Sequence, residues 1–114
     1  MAADANGRMT DTLKRLETII AARRTGDPSS SYVASLAAKG RAKIAQKVGE
    51  EAVETVIAAL GGDQSDLTKE AADLVFHLAV LLADAGLSFD DVFAELDARD
   101  GVSGLAEKAA RKDS

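Results

Sequence analysis

The chain of 114 residues contains no cysteine and no tryptophan, a single proline, a single histidine and only 4% aromatic residues. Without cysteine there is no disulfide, no thiolate nucleophile and no Cys-ligated zinc or iron–sulfur centre. Long apolar runs are missing too. The longest, Leu78 to Ala83, falls far short of the ~20 residues that span a bilayer. Basic excess is also lacking: 14 Lys and Arg face 19 Asp and Glu, for a net charge of -5 and a pI near 4.8. That balance opposes binding to nucleic acid through phosphate neutralisation. The N-terminus has no basic segment followed by an apolar stretch, so no secretion signal is expected. These absences predict a soluble, cytoplasmic protein with no membrane or nucleic-acid partner.

Hydrophobic residues make up 46% of the chain, too many for disorder. A mass of 11.8 kDa predicts one domain, with ~5,900 Å² exposed when folded against ~17,000 Å² unfolded. The core is therefore small, and a partner chain would enlarge it. Residues 1–10 show no apolar periodicity and read as a flexible N-terminus, leaving 11–114 as the single domain.

Glycines and the proline divide the rest. Thr10 or Asp11 can cap a helix to about Arg24, with Leu13, Leu16, Ile19 and Ile20 on one face. Gly26-Asp27-Pro28 and three serines form a loop. Tyr32, Val33 and Leu36 predict a short helix that stops near Gly40. A long helix follows from Arg41 to Leu60, its apolar stripe being Ile44, Val48, Ala52, Val56, Ala59 and Leu60, and Gly61-Gly62 ends it. Ser65 can cap the next, Asp66 to Ala85, with Gly86 as its stop signal. Ser88 with Asp91 fits a capping box for a helix to about Arg99. A last polar turn is expected from Leu105 to Lys112. No stretch alternates with period two, so the fold is all-α.

The helix from Asp66 carries Leu67, Leu74, Val75, Leu78, Leu81 and Leu82 on one face and Phe76 and Val80 on the other. A helix apolar on two sides must be covered on two sides. A homodimeric bundle does this; so would the first and last helices of the same chain.

The two long helices also carry acids. Glu50, Glu51 and Glu54 lie in KVGEEAVE, and Glu70 and Asp73 in KEAADLVFH. Residues three apart share a helix face, so Glu51 with Glu54, and Glu70 with Asp73, form two same-face pairs at the margins of the apolar stripes. Gathered together, they would repel one another unless a cation intervened. A hard-oxygen set of this kind selects Mg²⁺ or Mn²⁺ over zinc and suits hydrolysis of a phosphoanhydride. The alternative is a solvated helix face, since Lys47 can pair locally with Glu50 and Glu51. His77, one turn after Asp73, reads first as a hydrogen-bonded side chain at a packed edge and second as a proton shuttle or phosphate contact. Gly49 sits inside a helix at a cost of ~1 kcal/mol relative to Ala, and would let a neighbour approach the backbone beside Glu50. Lys39, Arg41, Lys43 and Lys47 could meet phosphates as point charges.

Three stretches carry a resemblance to a known family: SYVASLAAKGRAKIAQKVGEEAVETVIAAL, KEAADLVFHLAVLLADAGLSFDDVFAELDAR and SGLAEKAAR. From about Leu13 to Arg111 the chain resembles the phosphoribosyl-ATP pyrophosphohydrolases of histidine biosynthesis, within the MazG-like superfamily of nucleoside triphosphate pyrophosphohydrolases. The superfamily pattern ExxE, then ExxD, is met by Glu51, Glu54, Glu70 and Asp73, with Glu50 as the extra acid. Ser31-Tyr32, Gly40, IAQKVGEEAVE, Arg99, Ser103-Gly104 and Glu107-Lys108 resemble the histidine-pathway branch more than the hydrolases of canonical or damaged dNTPs.

The resemblance implies a MazG-like helical bundle whose core is completed by homodimerisation, and a stand-alone form without a fused cyclohydrolase domain. The implied reaction is hydrolysis of 1-(5-phosphoribosyl)-ATP to 1-(5-phosphoribosyl)-AMP and pyrophosphate. Mg²⁺, with Mn²⁺ as a substitute, would be held by Glu51, Glu54, Glu70 and Asp73. The implied catalytic residues are Glu50, Glu51 and Glu54, with Glu50 as ligand or base. Lys43 and Lys47, one or two turns before the acids, are candidate phosphate contacts. Tyr32, Arg99 and the C-terminal basic residues are candidates for the ribosyl phosphate. Contact with phosphoribosyl-AMP cyclohydrolase is the one protein partnership beyond the dimer that the resemblance raises. Two rivals remain: a MazG-like dNTP hydrolase using the same acids, and a non-enzymatic helical dimerisation module.

Overall fold

Each interruption in the apolar pattern becomes a junction between helices in the computed structural model, which describes residues 2–100. The order is α1 (Ala2–Arg23), α2 (Tyr32–Lys39), α3 (Arg41–Gly61), α4 (Gln64–Asp84) and α5 (Phe89–Ala98). No strand occurs among the described residues, and the fold is all-α as the periodicity predicts. The expected turn at Leu105 to Lys112 lies outside the described residues. One start differs clearly: α1 begins at Ala2, well before Thr10 or Asp11.

The junctions show why the helices stop where they do. Ser31 caps α2, accepting the Ala34 N–H at 3.2 Å. Gly40 is the only residue between α2 and α3. Its N–H donates to the carbonyls of Leu36 and Ala37, its carbonyl accepts the Ile44 N–H at 3.2 Å, and its φ of 95° lies where a Cβ is strained. The cap of α4 is Asp63, not Ser65: its carboxylate accepts the N–H groups of Ser65 at 2.8 Å and Asp66 at 3.3 Å. Asp63 wins because, at the Ncap, a carboxylate reaches two free amides and also meets the positive end of the helix dipole. α4 ends in a Schellman motif, with Leu87 N–H on Leu82 O and Gly86 N–H on Ala83 O. At α5 the Ser88 N–H donates to Asp91 at 2.9 Å, the expected capping box. The next free amide, that of Phe89, donates to Glu17 Oε2 of α1 at 2.9 Å.

All five helices contribute to one core. Ile20 from α1, Val33 and Leu36 from α2, Ile44 from α3, Ala79 and Val80 from α4 and Phe89 from α5 are buried together. Leu13, Leu16, Phe76, Leu78, Leu81, Leu82 and Phe93 pack around them. The α3–α4 hairpin is the most extensive packing in the molecule. Where α3 begins and α4 ends, two arginines converge on Asp84: Arg41 Nε at 2.8 Å and Arg24 Nη2 at 3.5 Å. The same side chains donate to the carbonyls of Asp84 and Ala83, so they also satisfy the C-terminal carbonyls of α4. No single helix among the described residues is long and apolar enough to cross a membrane.

Candidate metal and phosphate site

Glu51 is the carboxylate that the fold treats least like a surface residue. It sits on α3 one turn beyond Lys47, on the side that packs against α4, and is only 7% exposed. Directly opposite on α4 stand Glu70, half-buried, and Asp73, exposed. One carboxylate oxygen from each of the three lies within 4.8 Å of the others. The hairpin thus brings together three of the four acids in the two expected pairs, Glu54 standing outside the group.

The cluster is electrostatically incomplete. Glu51 Oε2 and Glu70 Oε2 are buried and accept no hydrogen bond among the described residues. Burial, followed by hydrogen bonding to Glu54 and the charge of Glu54, pushes the Glu51 carboxyl above its usual range. Burial and then Glu54 do the same to Glu70. A fold that buries acids without donors leaves them short of positive charge. A divalent cation would supply that charge. Glu51, Glu70 and Asp73, whose oxygens already converge, are the residues that would hold it. The all-oxygen donor set fits Mg²⁺ or Mn²⁺.

The other acids and cations divide by partner. Glu54 is exposed but close enough to raise both Glu51 and Glu70. With Glu70, Asp63 and Asp66 it lines a cavity of about 450 Å³ at the turn end of the hairpin. Glu50 is outside the ligand group. It is held by Lys47 Nζ at 3.1 Å and Gln46 Nε2 at 3.1 Å, and these bonds keep its carboxyl below the usual range. Lys47 also approaches Glu51 Oε1 at 3.9 Å, so it borders the cluster and partly offsets its charge. Lys43 is half-buried one turn earlier and acts on Glu50 by charge. Arg41 is committed to Asp84 at the opposite end of the hairpin. Among the described residues no contact lies within 4 Å of where a Cβ on Gly49 would stand, so none of them requires glycine there.

His77 is 5% exposed and engaged at both ring nitrogens, as its packed-edge reading predicts. Nδ1 lies 2.7 Å from the Asp73 carbonyl and Nε2 lies 2.7 Å from the Tyr32 hydroxyl. The carbonyl can only accept, so Nδ1 carries the proton, and in the neutral ring Nε2 accepts from Tyr32. The Tyr32–His77 pair spans 45 residues of sequence, and nothing local signals it. Asp63 and Asp66 at the turn end fall outside the acid pairs expected from helical spacing, although an acid at position 63, just before a helix start, is a capping signal.

The fold and site together define a class: an all-α protein with a convergent carboxylate cluster, one member buried, between two hairpin helices. Comparison with known proteins narrows this. The sequence profile described as phosphoribosyl-ATP pyrophosphohydrolase matches residues 13–100, and the chain belongs to that family. A phosphoribosyl-ATP pyrophosphatase of Rhizorhabdus wittichii is 71% identical over 103 residues, covering 90% of this chain and 97% of the relative. Those of Zymomonas mobilis and Erythrobacter litoralis are each 64% identical, covering 91% and 90% of this chain and 97% and 99% of the relatives.

Proposed function

We propose that this chain hydrolyses 1-(5-phosphoribosyl)-ATP to 1-(5-phosphoribosyl)-AMP and pyrophosphate, the second step of histidine biosynthesis. The observation that carries the reading is the pair of buried, partnerless oxygens on Glu51 and Glu70 beside Asp73, in a chain of this family. Glu51, Glu70 and Asp73 would hold Mg²⁺ or Mn²⁺, with Glu54 as a fourth donor. The ion, when bound, neutralises triphosphate charge and lowers the pKa of a coordinated water.

The chain's own residues supply the rest. Glu50 and Glu54 lie on the exposed side of the ligand group and are the proposed acceptors of the water proton. Lys47 and Gln46 hold the Glu50 carboxyl low, which makes it a weaker acceptor than an ordinary carboxylate. Lys47 and Lys43 are proposed to meet the substrate phosphates as flexible point charges. Lys47 would exchange its pairing with Glu50 for phosphate oxygens.

A homodimer is part of the proposal. On α3, Val53, Val56, Ile57 and Leu60 are 59%, 58%, 64% and 84% exposed. Their spacing places them on one side of the helix, and four large apolar residues there form an uncovered face. A second copy would cover it beside the acid cluster. A cytoplasmic location fits a biosynthetic step on a multiply charged nucleotide that does not cross membranes unaided.

The test is pyrophosphate release from phosphoribosyl-ATP, with Mg²⁺ and with EDTA, beside a panel of dNTPs. Metal-dependent release from phosphoribosyl-ATP alone is expected. Release from dNTPs instead would transfer the same site to the dNTP hydrolases. Silence on all substrates from a folded sample would overturn the enzymatic assignment.

A further inference from the structure

Tyr32 is an aromatic ring fixed on several sides and yet half in solvent. Its exposure is 51%. One contact is Phe76, stacked at 6.2 Å between centroids and 22° between planes. A second is His77, edge-on at 5.7 Å and 82°. The third is the hydroxyl bond to His77 Nε2 at 2.7 Å. Ser31 caps α2 immediately before it, so the backbone is held as well.

Two neighbourhoods meet at this ring. On one side is the carboxylate cluster: the phenol feels the charges of Lys47, Glu51, Glu50 and Asp73. On the other is a cavity of about 460 Å³ that Tyr32 lines with Phe76, Ile19, Ser31 and the cation Arg23. That volume falls within the ~300–1,000 Å³ range of ligand sites. The hydroxyl already serves His77, so what Tyr32 offers a ligand is the surface of its ring.

We infer that Tyr32 is the stacking platform for the purine base of the nucleotide substrate, setting the register between the base and the phosphates at the carboxylate cluster. The inference deepens the proposed function and rests on it for the identity of the nucleotide. A ring held in place before binding loses little conformational freedom when a base stacks on it. Phe76 supports the platform from behind and, by its bulk, fixes the ring's tilt. The residue thereby selects for a base-bearing triphosphate over an inorganic one.

The chain has one tyrosine and no tryptophan, which makes the test direct. In protein carrying ¹³C-labelled tyrosine, every tyrosine ring signal comes from Tyr32. Titration with Mg²⁺ and α,β-methylene-ATP is expected to move those ring protons upfield by ring current. Mg²⁺ and inorganic tripolyphosphate should not. In parallel, Tyr32→Ala should raise KM for phosphoribosyl-ATP roughly ten- to a hundred-fold, the size expected for one base stack. Tyr32→Phe should recover most of that loss, and Mn²⁺ affinity, followed by electron paramagnetic resonance, should not track it.

Equal shifts from both ligands, or a Tyr32→Ala KM within twofold of the parent, would overturn the inference. So would a KM loss matched by weaker Mn²⁺ binding and left uncorrected by phenylalanine, which assigns Tyr32 a structural role through His77. Failure of the parent protein to release pyrophosphate from phosphoribosyl-ATP would sink the proposed function instead, while the nuclear magnetic resonance arm still reads the stack.

Discussion

Where α3 begins and α4 ends, Ile44 and Val80 are sealed in the core and Asp84 is gripped by Arg24 and Arg41. Some three turns along the same hairpin the pattern reverses. There the buried groups are carboxylates whose outer oxygens have no donor, and the exposed groups include Ile57 and Leu60. One end satisfies its polar groups and hides its apolar ones; the other does the opposite. Both ends are built on the same two helices, so propensity does not separate them. What separates them is what each end is completed by: the first by this chain, the second, on our proposal, by an ion, a substrate and another copy.

Substitutions should therefore act with opposite signs at the two ends. The largest effect belongs to the turn end, with its carboxylates. Glu51→Gln or Asp73→Asn should cut pyrophosphate release by orders of magnitude with unchanged helical circular dichroism, and wild-type turnover in either would refute the ligand assignment. Glu51→Gln should also raise the melting temperature in EDTA, because an unpartnered buried charge is removed. Saturating Mg²⁺ should restore the parent's advantage, adding about 2.7 kcal/mol at a hundred times its Kd.

At the end that carries Ile44 and Asp84 the largest expected effect is on stability. Ile44→Ala, at a side chain with 0% exposure, should cost about 2–5 kcal/mol in denaturant unfolding. A loss below 1 kcal/mol would mean that the core reading is wrong. Asp84→Asn should cost about 1 kcal/mol, since Arg41 is largely exposed and screened.

Leu60→Lys with Ile57→Lys tests the apolar face between those extremes. On an isolated chain, exposed positions such as these change stability by about 0.5 kcal/mol or less. On a dimer, the double variant should sediment at half the mass of the parent. A parent that is itself monomeric at micromolar concentration would remove the dimer from the proposal.

The smallest effect is in pH. Glu51 and Glu70 have folded-state pKa values raised above the ordinary 4.5. A raised carboxyl binds its proton more tightly when folded, so its contribution to stability is present below 4.5 and is lost as pH rises through the folded value. In EDTA the melting temperature should therefore climb as pH is lowered from 7 towards 4.5, and Glu51→Gln should flatten that climb. Glu50 is lowered by Lys47. Its contribution is present above 4.5 and fades only at more acid pH, so it does not mask the trend. Mg²⁺ affinity should fall over the same interval in which the raised carboxyls take up protons.

Much of this contrast is legible in the order of the residues. The hairpin, its two acid pairs and their nearness to the apolar margin follow from helical spacing, because i and i+3 neighbours are fixed by the helix alone. Capping at Ser88 and the stops at Gly40, Gly62 and Gly86 follow from local stereochemistry. The illegible parts depend on contacts distant in sequence. Nothing near Glu51 distinguishes it from Glu50, yet one turns into the hairpin and the other onto Lys47. The stripe through Ile44, Val48 and Ala52 runs on without a break in the sequence to Val56 and Leu60, but α4 covers only its first half. Likewise α4 is buried most deeply at His77, Ala79 and Val80, not along its leucine-rich face, because α1 and α2 pack against it from that side.

Gly40 joins two helices with no linker at all, and that turns α2 into a lever pivoted on one residue. Tyr32 is at the far end, about 12 Å from the pivot at ~1.5 Å per residue. A tilt of roughly ten degrees at the pivot would swing the ring by about 2 Å relative to Glu51 on the other arm. Displacements of ~1 Å can cost a hundred-fold in rate where two parts of a substrate must be held in register. The left-handed backbone of a single small residue is thus a ruler. It sets how far apart this enzyme can grip the two ends of one molecule, and Gly40→Ala should be read as a change of gauge before it is read as a loss of stability.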